Sequence, residues 1–207
     1  ETQDTDPQEI ALKVSAAGKL EEAERLATQG KVTEAISLYK EAQSLSPDID
    51  LDPDTATQDT DPQEIALKVS AAGKLEEAER LATQGKVTEA ISLYKEAQEL
   101  IEIPAHQWQL LCFYGSKQRR AADVIFACER AVELEPENLD SRFIRGFARA
   151  LTRDQDGAIA DFQTLADKAE GPEAAAPWQE LIKRLSTGQD SVIDEVLESL
   201  YEVLESS

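Results

Sequence analysis

Apolar side chains recur at helical spacing from the first residues of this chain. One run falls at Ile10, Val14, Ala17, Ala23 and Leu26, and the next at Ala35, Ile36, Leu38, Tyr39, Ala42 and Leu45. Steps of three and four residues place such side chains on one face of an α-helix. The pattern therefore predicts a long helix that ends at Gln29-Gly30-Lys31 and a shorter antiparallel helix stopped by Pro47.

The start of the long helix has its own signal. Asp6-Pro7-Gln8-Glu9 combines a capping aspartate, a proline suited to the first helical position and a glutamate three residues after the cap. The same four residues recur at Asp61-Pro62-Gln63-Glu64, where they predict a second helix start.

Residues Thr2–Gln43 and Thr57–Gln98 are identical at every position. Self-similarity at a fixed offset is typical of repeat architectures, in which stacked units bury a continuous core. Such identity indicates a recent duplication or the deliberate copying of one unit. We therefore expect fold and function to depend on stacked units more than on one catalytic pocket.

The second half keeps the pattern of helix pairs without the identity. Trp108–Ala131 and Ser141–Leu165 each predict two helices, with Pro136 as breaker and Asn138 as cap between the pairs. Gly171-Pro172 and Pro177 interrupt the pattern, so a short capping helix over Trp178–Leu185 is predicted, followed by an amphipathic helix over Asp190–Glu205. The resulting segments are 1–47 (unit one), 48–61 (acidic loop), 62–104 (unit two), 105–138 (unit three), 139–172 (unit four) and 173–207 (capping helices).

Composition supports helices and restricts the partner classes. Of the 207 residues, 41% are apolar and only 5% aromatic, and the formal net charge is −21. A nucleic-acid partner is not expected, because phosphate binding needs clustered lysine and arginine, and an anionic membrane surface would repel the chain. We predict a protein or peptide partner.

Cysteine usage and the absence of targeting signals favour a cytoplasmic protein. Cys112 and Cys128 lie in apolar surroundings, and we expect buried thiols in a reducing compartment. The chain shows no signal peptide and no apolar stretch of transmembrane length. Because it begins at Glu1 and contains no methionine, it is expected to be a piece of a larger protein.

The spacing of small and aromatic residues resembles that of tetratricopeptide repeats, helix pairs of about 34 residues. The residues that match are Gly30, Ala35, Tyr39, Ala42 and Pro47 in unit one, Gly85, Ala90, Tyr94 and Ala97 in unit two, Trp108, Leu111, Ala131 and Pro136 in unit three, and Gly146, Ala158 and Phe162 in unit four. Units one and two depart from the family by an insertion that lengthens the first helix and adds the acidic loop. The stretch Trp108–Phe162 also resembles helical-repeat regions of cyanobacterial multidomain proteins. The resemblance implies an all-α fold, a right-handed α-solenoid of about four helix pairs with C-terminal capping helices.

No residue set for catalysis, a cofactor or a metal is apparent. The phosphate-binding string G-x-x-x-x-G-K-[ST] is absent, and His106 is the single histidine, which excludes multi-histidine metal sites. We expect His106 to be a surface polar residue and the protein not to be an enzyme.

The acidic loop faintly resembles a calcium-binding loop through Asp48, Asp50, Asp52, Asp54 and Asp59. Pro53 stands where the calcium loop needs glycine, and the last ligand would be aspartate instead of glutamate. A solvated acidic loop, pinned to the helices by Ile49 and Leu51, is the favoured interpretation.

Four arginines on one helix stripe stand out against the negative charge. They are Arg142, Arg145, Arg149 and Arg153, and Lys117, Arg119 and Arg120 belong to the preceding repeat. One interpretation pairs the stripe with Glu129, Glu133, Asp154 and Asp161, and the other makes it the wall of a groove for an acidic peptide.

The resemblance also suggests where such a groove would lie. The positions used by a carboxylate clamp in chaperone-binding relatives hold Gln109, Phe113, Phe143 and Phe147 here. An apolar groove on the three phenylalanines, each at least partly exposed, is therefore favoured over a clamp.

Two functions follow as hypotheses. The favoured one is a protein-interaction scaffold that holds a partner segment, extended or helical, on the concave face of the array. The alternative is a structural spacer or self-association module, because copied units present copied interfaces and weak stacking or swapping between chains is expected. A hydrolase is a third class without any residue set to support it.

Overall fold

The structure is a computed structural model that describes residues 6–53 and 59–187 together with Glu195, Glu198, Ser199 and Glu202. In that part of the chain the secondary structure is entirely helical. The helices are α1 Pro7–Thr28, α2 Val32–Leu45, α3 Pro62–Thr83, α4 Val87–Gln98, α5 Ala105–Lys117, α6 Ala121–Leu134, α7 Leu139–Leu151, α8 Gln155–Lys168 and α9 Pro172–Leu185.

The fold class is all-α, with neighbouring helices packed in pairs as in a helical-repeat solenoid. The chain divides into two compact structural units, called unit 1 and unit 2, which are not the sequence units one to four defined above. Unit 1 comprises Glu1–Glu77 and Leu93–Glu102, and unit 2 comprises Ala78–Ser92 and Ile103–Ser207. The right-handed course of the array and its division into four repeats remain predictions.

The start of α1 follows the predicted capping chemistry. The Asp6 carboxylate accepts a hydrogen bond from the Gln8 backbone N–H at 2.9 Å, and Pro7 occupies the first helical position. Glu9 does not reach back to the cap, because its carboxylate lies 2.7 Å from the Lys13 ammonium one turn on. Gly30 adopts φ +78°, a left-handed conformation that glycine tolerates, and so reverses the chain into α2.

The core of unit 1 joins α1, α2, the acidic loop and the start of α3. Its buried members are Ala16, Leu20, Ala23, Leu26, Ala27, Ala35, Tyr39, Ala42, Leu51, Ile65 and Ala66. Burial raises the pKa of Tyr39, so its phenol stays neutral. Helix α3 therefore contributes its first turns to the core built by the first helix pair.

The acidic loop is pinned to this core, as the sequence predicted. Leu51 is fully buried and Ile49 packs against the cluster. The Asp50 carboxylate accepts hydrogen bonds from the backbone N–H groups of Asp52 and Asp59, at 3.1 and 3.0 Å. This carboxylate therefore holds Asp52 and Asp59 close to each other.

Unit 2 contains two further helix pairs and α9. The Asn138 side chain accepts a hydrogen bond from the Ser141 backbone N–H at 3.0 Å, which confirms the predicted cap of α7. Helices α7, α8 and α9 share one core, with Phe147, Ala150, Ala158, Phe162, Leu165 and Leu185 as its buried members.

The predicted start of the capping helix was wrong. Helix α9 begins at Pro172, six residues before Trp178, and carries Pro177 inside it. Pro172 takes the first helical position, where proline has no hydrogen bond to lose. Of the helix predicted over 190–205, Glu195, Glu198, Ser199 and Glu202 are helical, and the other positions lie outside the described residues.

The prediction of two free thiols was also wrong. Cys112 of α5 and Cys128 of α6 form a disulfide, with Cα atoms 5.0 Å apart. Both side chains are buried, as expected, but antiparallel packing of the two helices brings the sulfurs together. Sequence spacing alone does not reveal such a pairing.

Candidate functional site

Three candidate residues form one stripe along α5. Gln109 accepts a hydrogen bond from the Ser141 hydroxyl at 3.2 Å, which links α5 to the start of α7. The Lys117 ammonium lies 5.7 Å from the centre of the Phe113 ring, a cation–π distance. Gln109, Phe113 and Lys117 therefore all have intramolecular contacts along one stripe of α5.

The three phenylalanines come together, but not as a common exposed surface. The expectation that Phe147 is partly exposed was wrong, because its ring is 0% exposed in the core of unit 2. Phe113 and Phe143 are half-buried and pack against that core. Phe143 and Phe147 lie one helical turn apart on the same side of α7, and only Phe147 is completely covered by the surrounding core.

The arginine stripe converges on one buried carboxylate. Asp161 of α8, whose side chain is only 2% exposed, accepts two hydrogen bonds from Arg145, of which the Nε bond to Oδ2 is 2.8 Å. Arg149 donates Nη1 to the same Oδ2 at 3.0 Å. The Arg142 Nη1 lies 3.7 Å from Oδ1, and its Nε donates to the Pro136 carbonyl at 2.9 Å.

Outer carboxylates complete the cluster around Arg149. Its guanidinium lies 4.0 Å from Glu129 and 3.6 Å from Asp154. Glu133 was wrongly assigned to this stripe, because it pairs with Arg130 of its own helix at 3.2 Å. Arg153 is exposed in the turn after α7, with φ +66°.

The geometry favours the ion-pair interpretation of the stripe. Arg142, Arg145 and Arg149 join α7 to α8, and their donors are directed at Asp161. A peptide carboxylate at this place would have to compete with a carboxylate already buried among them.

The aromatic residue that sequence reasoning missed is Trp178 of α9. Its ring centre lies 5.7 Å from that of Phe143 and 6.2 Å from that of Phe162, stacked on the latter with an interplanar angle of 11°. The signal was present, since Trp178 is one of only two tryptophans. The prediction that Trp178 begins a capping helix gave no indication that its ring lies beside Phe143.

Two surface cavities flank the Phe143–Trp178 pair. One, of about 320 Å³, is lined by Phe143, Pro177, Trp178, Glu180, Leu181, Arg184 and Ser199. The other, of about 340 Å³, is lined by Leu139, Asp140, Phe143, Leu165, Lys168, Ala169, Ala174 and Trp178. We call the two together the aromatic groove.

Basic side chains stand at both ends of the aromatic groove. Lys168 donates to Glu137 at 3.0 Å, and this hydrogen bond holds the pKa of the Glu137 carboxyl below its usual value. Arg184 donates to Glu195 at 3.1 Å. The groove thus combines an apolar floor with two cationic side chains that already donate hydrogen bonds to carboxylates.

His106, the possible metal ligands and the possible membrane spans can also be checked against the structure. His106 is exposed near the start of α5, as expected. Within residues 6–53 and 59–187, no three histidine, cysteine, aspartate or glutamate side chains are placed to hold a metal ion. None of the described helices has the length and apolarity needed to cross a membrane.

Comparison with known proteins gives a distant resemblance. No known protein-family model matches the chain. The chain is 27% identical over 116 residues to DnaJ homolog subfamily C member 3 of Bos taurus, and 25% identical over 115 residues to the Homo sapiens protein of that name. Each match covers 54% of this chain and 23% of the relative, so the chain matches only about a quarter of their length. The similarity loosely supports tetratricopeptide-like helical repeats, which that relative contains.

Proposed function

We propose that the protein is a helical-repeat interaction module that binds a segment of another protein in the aromatic groove. The observation that carries this proposal is the Phe143–Trp178 pair, which separates two adjoining cavities of side-chain size. Binding sites are typically concave and apolar, with a few polar groups that fix orientation. The distant similarity to DnaJ homolog subfamily C member 3, a repeat-containing protein, supports an interaction role of this coarse kind.

The lining of the groove indicates the chemistry of the partner segment. Two apolar anchors, one on each side of the aromatic pair, would bury against Leu181 and Leu165. Arg184 and Lys168 favour acidic residues outside those anchors, as the contact of Arg184 with Glu195 illustrates. We therefore expect a short acidic segment with two large apolar side chains.

Peptide selection tests this proposal directly. A random peptide library panned on the immobilised protein should enrich segments with paired apolar residues and flanking carboxylates. Binding should shift the emission of Trp178, measured in a Trp108→Phe background so that a single tryptophan reports. Affinity should fall as salt rises, because exposed charge contacts are screened.

A matched pair of substitutions separates the groove from general stickiness. Phe143→Ala should lower peptide affinity at least about tenfold, a loss of roughly 1.4 kcal/mol. Phe126→Ala, which removes an exposed phenylalanine outside the groove, should leave it unchanged. Equal binding by both variants, with unchanged helicity, would exclude the aromatic groove as the site.

The remaining partner and compartment assignments are proposals too. The net charge of −21 disfavours nucleic acid and anionic membranes as partners.

A cytoplasmic location was predicted from free thiols, whereas the Cys112–Cys128 disulfide favours an oxidising compartment. Absence of catalysis remains a prediction, tested by assaying purified protein for hydrolase activity.

A further inference from the structure

The identical helices α1 and α3 lie in different surroundings. Both have the sequence PQEIALKVSAAGKLEEAERLAT. Ile10 and Val14 of α1 are 48% and 68% exposed, whereas Ile65, the counterpart of Ile10, is 1% exposed. Val69, the counterpart of Val14, is half-buried and packs on the core of unit 1.

The glycines of the two helices show the same contrast. A Cβ added at Gly73 would lie 3.0 Å from Cγ2 of Thr28, so α3 approaches the end of α1 closely there. A Cβ added at Gly18 would meet nothing within 4 Å. The face of α3 that is buried in this chain therefore has an exposed counterpart on α1.

The complement of that open face is present in the molecule. Ile65 and Ala66 belong to the same buried cluster as Tyr39, Ala42 and Leu51. We call those three residues the acceptor surface. Because α1 has the sequence of α3, it can make the same contacts with any acceptor surface from which α3 has been removed.

We infer that the N-terminal half of α1 is a docking face for the acceptor surface of a second copy of this chain, where it takes the place of that copy's α3. The contact is heterologous, since donor and acceptor are different surfaces. The inference is independent of the aromatic groove, which lies in unit 2.

Competition from the tethered α3 keeps the wild-type protein monomeric at ordinary concentrations. Residues 46–61 join α2 to α3, and a short tether gives the internal helix an effective concentration of about millimolar. Exchange exposes one apolar face for each one it buries. Docking from another molecule therefore becomes measurable when the internal α3 is weakened.

The duplication supplies matched variants for the experiment. The acceptor variant is Ile10→Asp/Val14→Asp/Ile65→Asp/Val69→Asp, which has an open acceptor surface and no donor. The wild type is the donor, and Ile10→Asp/Val14→Asp is the blocked donor with the same two substitutions. Mixtures are analysed by sedimentation at about 50 μM of each protein, a concentration well below the millimolar effective concentration of the internal α3.

Wild type with the acceptor variant should give a one-to-one complex, whereas the blocked donor with the acceptor variant should give none. Each protein alone should sediment as a monomer. If the acceptor variant loses helicity by circular dichroism, Ile65→Ala/Val69→Ala replaces the aspartates on α3, since alanine retains helix propensity.

With that milder acceptor variant, the wild type should bind at least about tenfold more tightly than the blocked donor. Equal binding by the two donors, or no complex with a folded acceptor variant, would overturn the inference. Loss of peptide binding in the groove would leave these outcomes unchanged, so the two proposals fail separately.

Discussion

At the scale of single residues, Asp161 is a charged side chain buried inside unit 2. Its carboxylate is almost fully buried and accepts hydrogen bonds from Arg145 and Arg149, with Arg142 nearby. Burying a charge is costly unless partners compensate it. Each member therefore depends on the others, and the cluster fixes the orientation of α7 on α8.

Replacing Asp161 by asparagine should destabilise unit 2 by about 3–5 kcal/mol, because partly buried guanidinium groups lose their shared anion. Urea unfolding followed by circular dichroism measures the change. The control is Glu129→Gln, which removes an exposed carboxylate from the edge of the same cluster and should cost less than about 1 kcal/mol. Similar costs for the two variants would contradict the central role of Asp161.

At the scale of helices, the identical sequences of α1 and α3 allow a direct comparison of one helix in two environments. Helices α1 and α3 share their sequence and bounds relative to it, since each runs from its proline to its threonine. Local sequence therefore determines where the helix begins and ends. Neighbouring elements determine which of its faces is buried, as Gly18 and Gly73 illustrate.

The same substitution at these two glycines should have unequal effects on stability. Gly18→Ala should stabilise the protein by about 0.5–1 kcal/mol, because alanine has lower conformational entropy in the unfolded chain and open space around it here. Gly73→Ala places its Cβ 3.0 Å from the Thr28 methyl group, and this crowding offsets the gain in helix propensity, so the variant should be less stable than Gly18→Ala.

Thermal unfolding of both variants against the wild type measures this difference. Truncating the obstructing methyl group with Thr28→Ser should relieve part of the cost of Gly73→Ala. Equal stabilisation by both alanines would contradict the close contact between α3 and Thr28.

At the scale of the whole molecule, the disulfide links α5 to α6 across 16 residues. Closing a loop of about 15 residues restricts the unfolded chain by roughly 3 kcal/mol in the loop-entropy account. The covalent link belongs to unit 2, whereas unit 1 contains no cysteine in the sequence. Redox conditions should therefore affect the two units unequally.

Reduction should lower the stability of unit 2 by about 2–4 kcal/mol and leave unit 1 unchanged. Hydrogen exchange with and without reductant resolves the two units by their peptides. The Cys112→Ala/Cys128→Ala variant should behave like the reduced protein and should not respond to reductant. Unchanged exchange after complete labelling of both thiols would contradict the prediction.

Much of the local architecture was predictable from sequence. The turn at Gly30, the end of α2 before Pro47 and the cap at Asn138 all follow from residues within a few positions. These features depend on backbone preferences and short-range hydrogen bonds. The pinning of the acidic loop by Leu51 was predictable because an isolated apolar residue among aspartates needs burial.

The candidate site was less predictable because its parts come from separate helices. Phe143 was recognised from its repeat position, but Trp178 becomes its neighbour only when α9 packs on α7 and α8. Helical spacing places Phe143 and Phe147 close together on α7 and does not say which one a neighbouring helix covers.

The helices and their repetition follow from local sequence, because helical periodicity and chain-breaking residues act over one or two turns. Which face of each helix is buried depends on long-range packing, because a distant segment has to cover that face. Long-range packing buried Phe147, directed the arginines to Asp161 and joined Cys112 to Cys128. The duplicated helix separates the two levels: the same 22 residues form the same helix twice, yet Ile65 is buried and Ile10 is exposed because only α3 has a helix pair before it in the described structure.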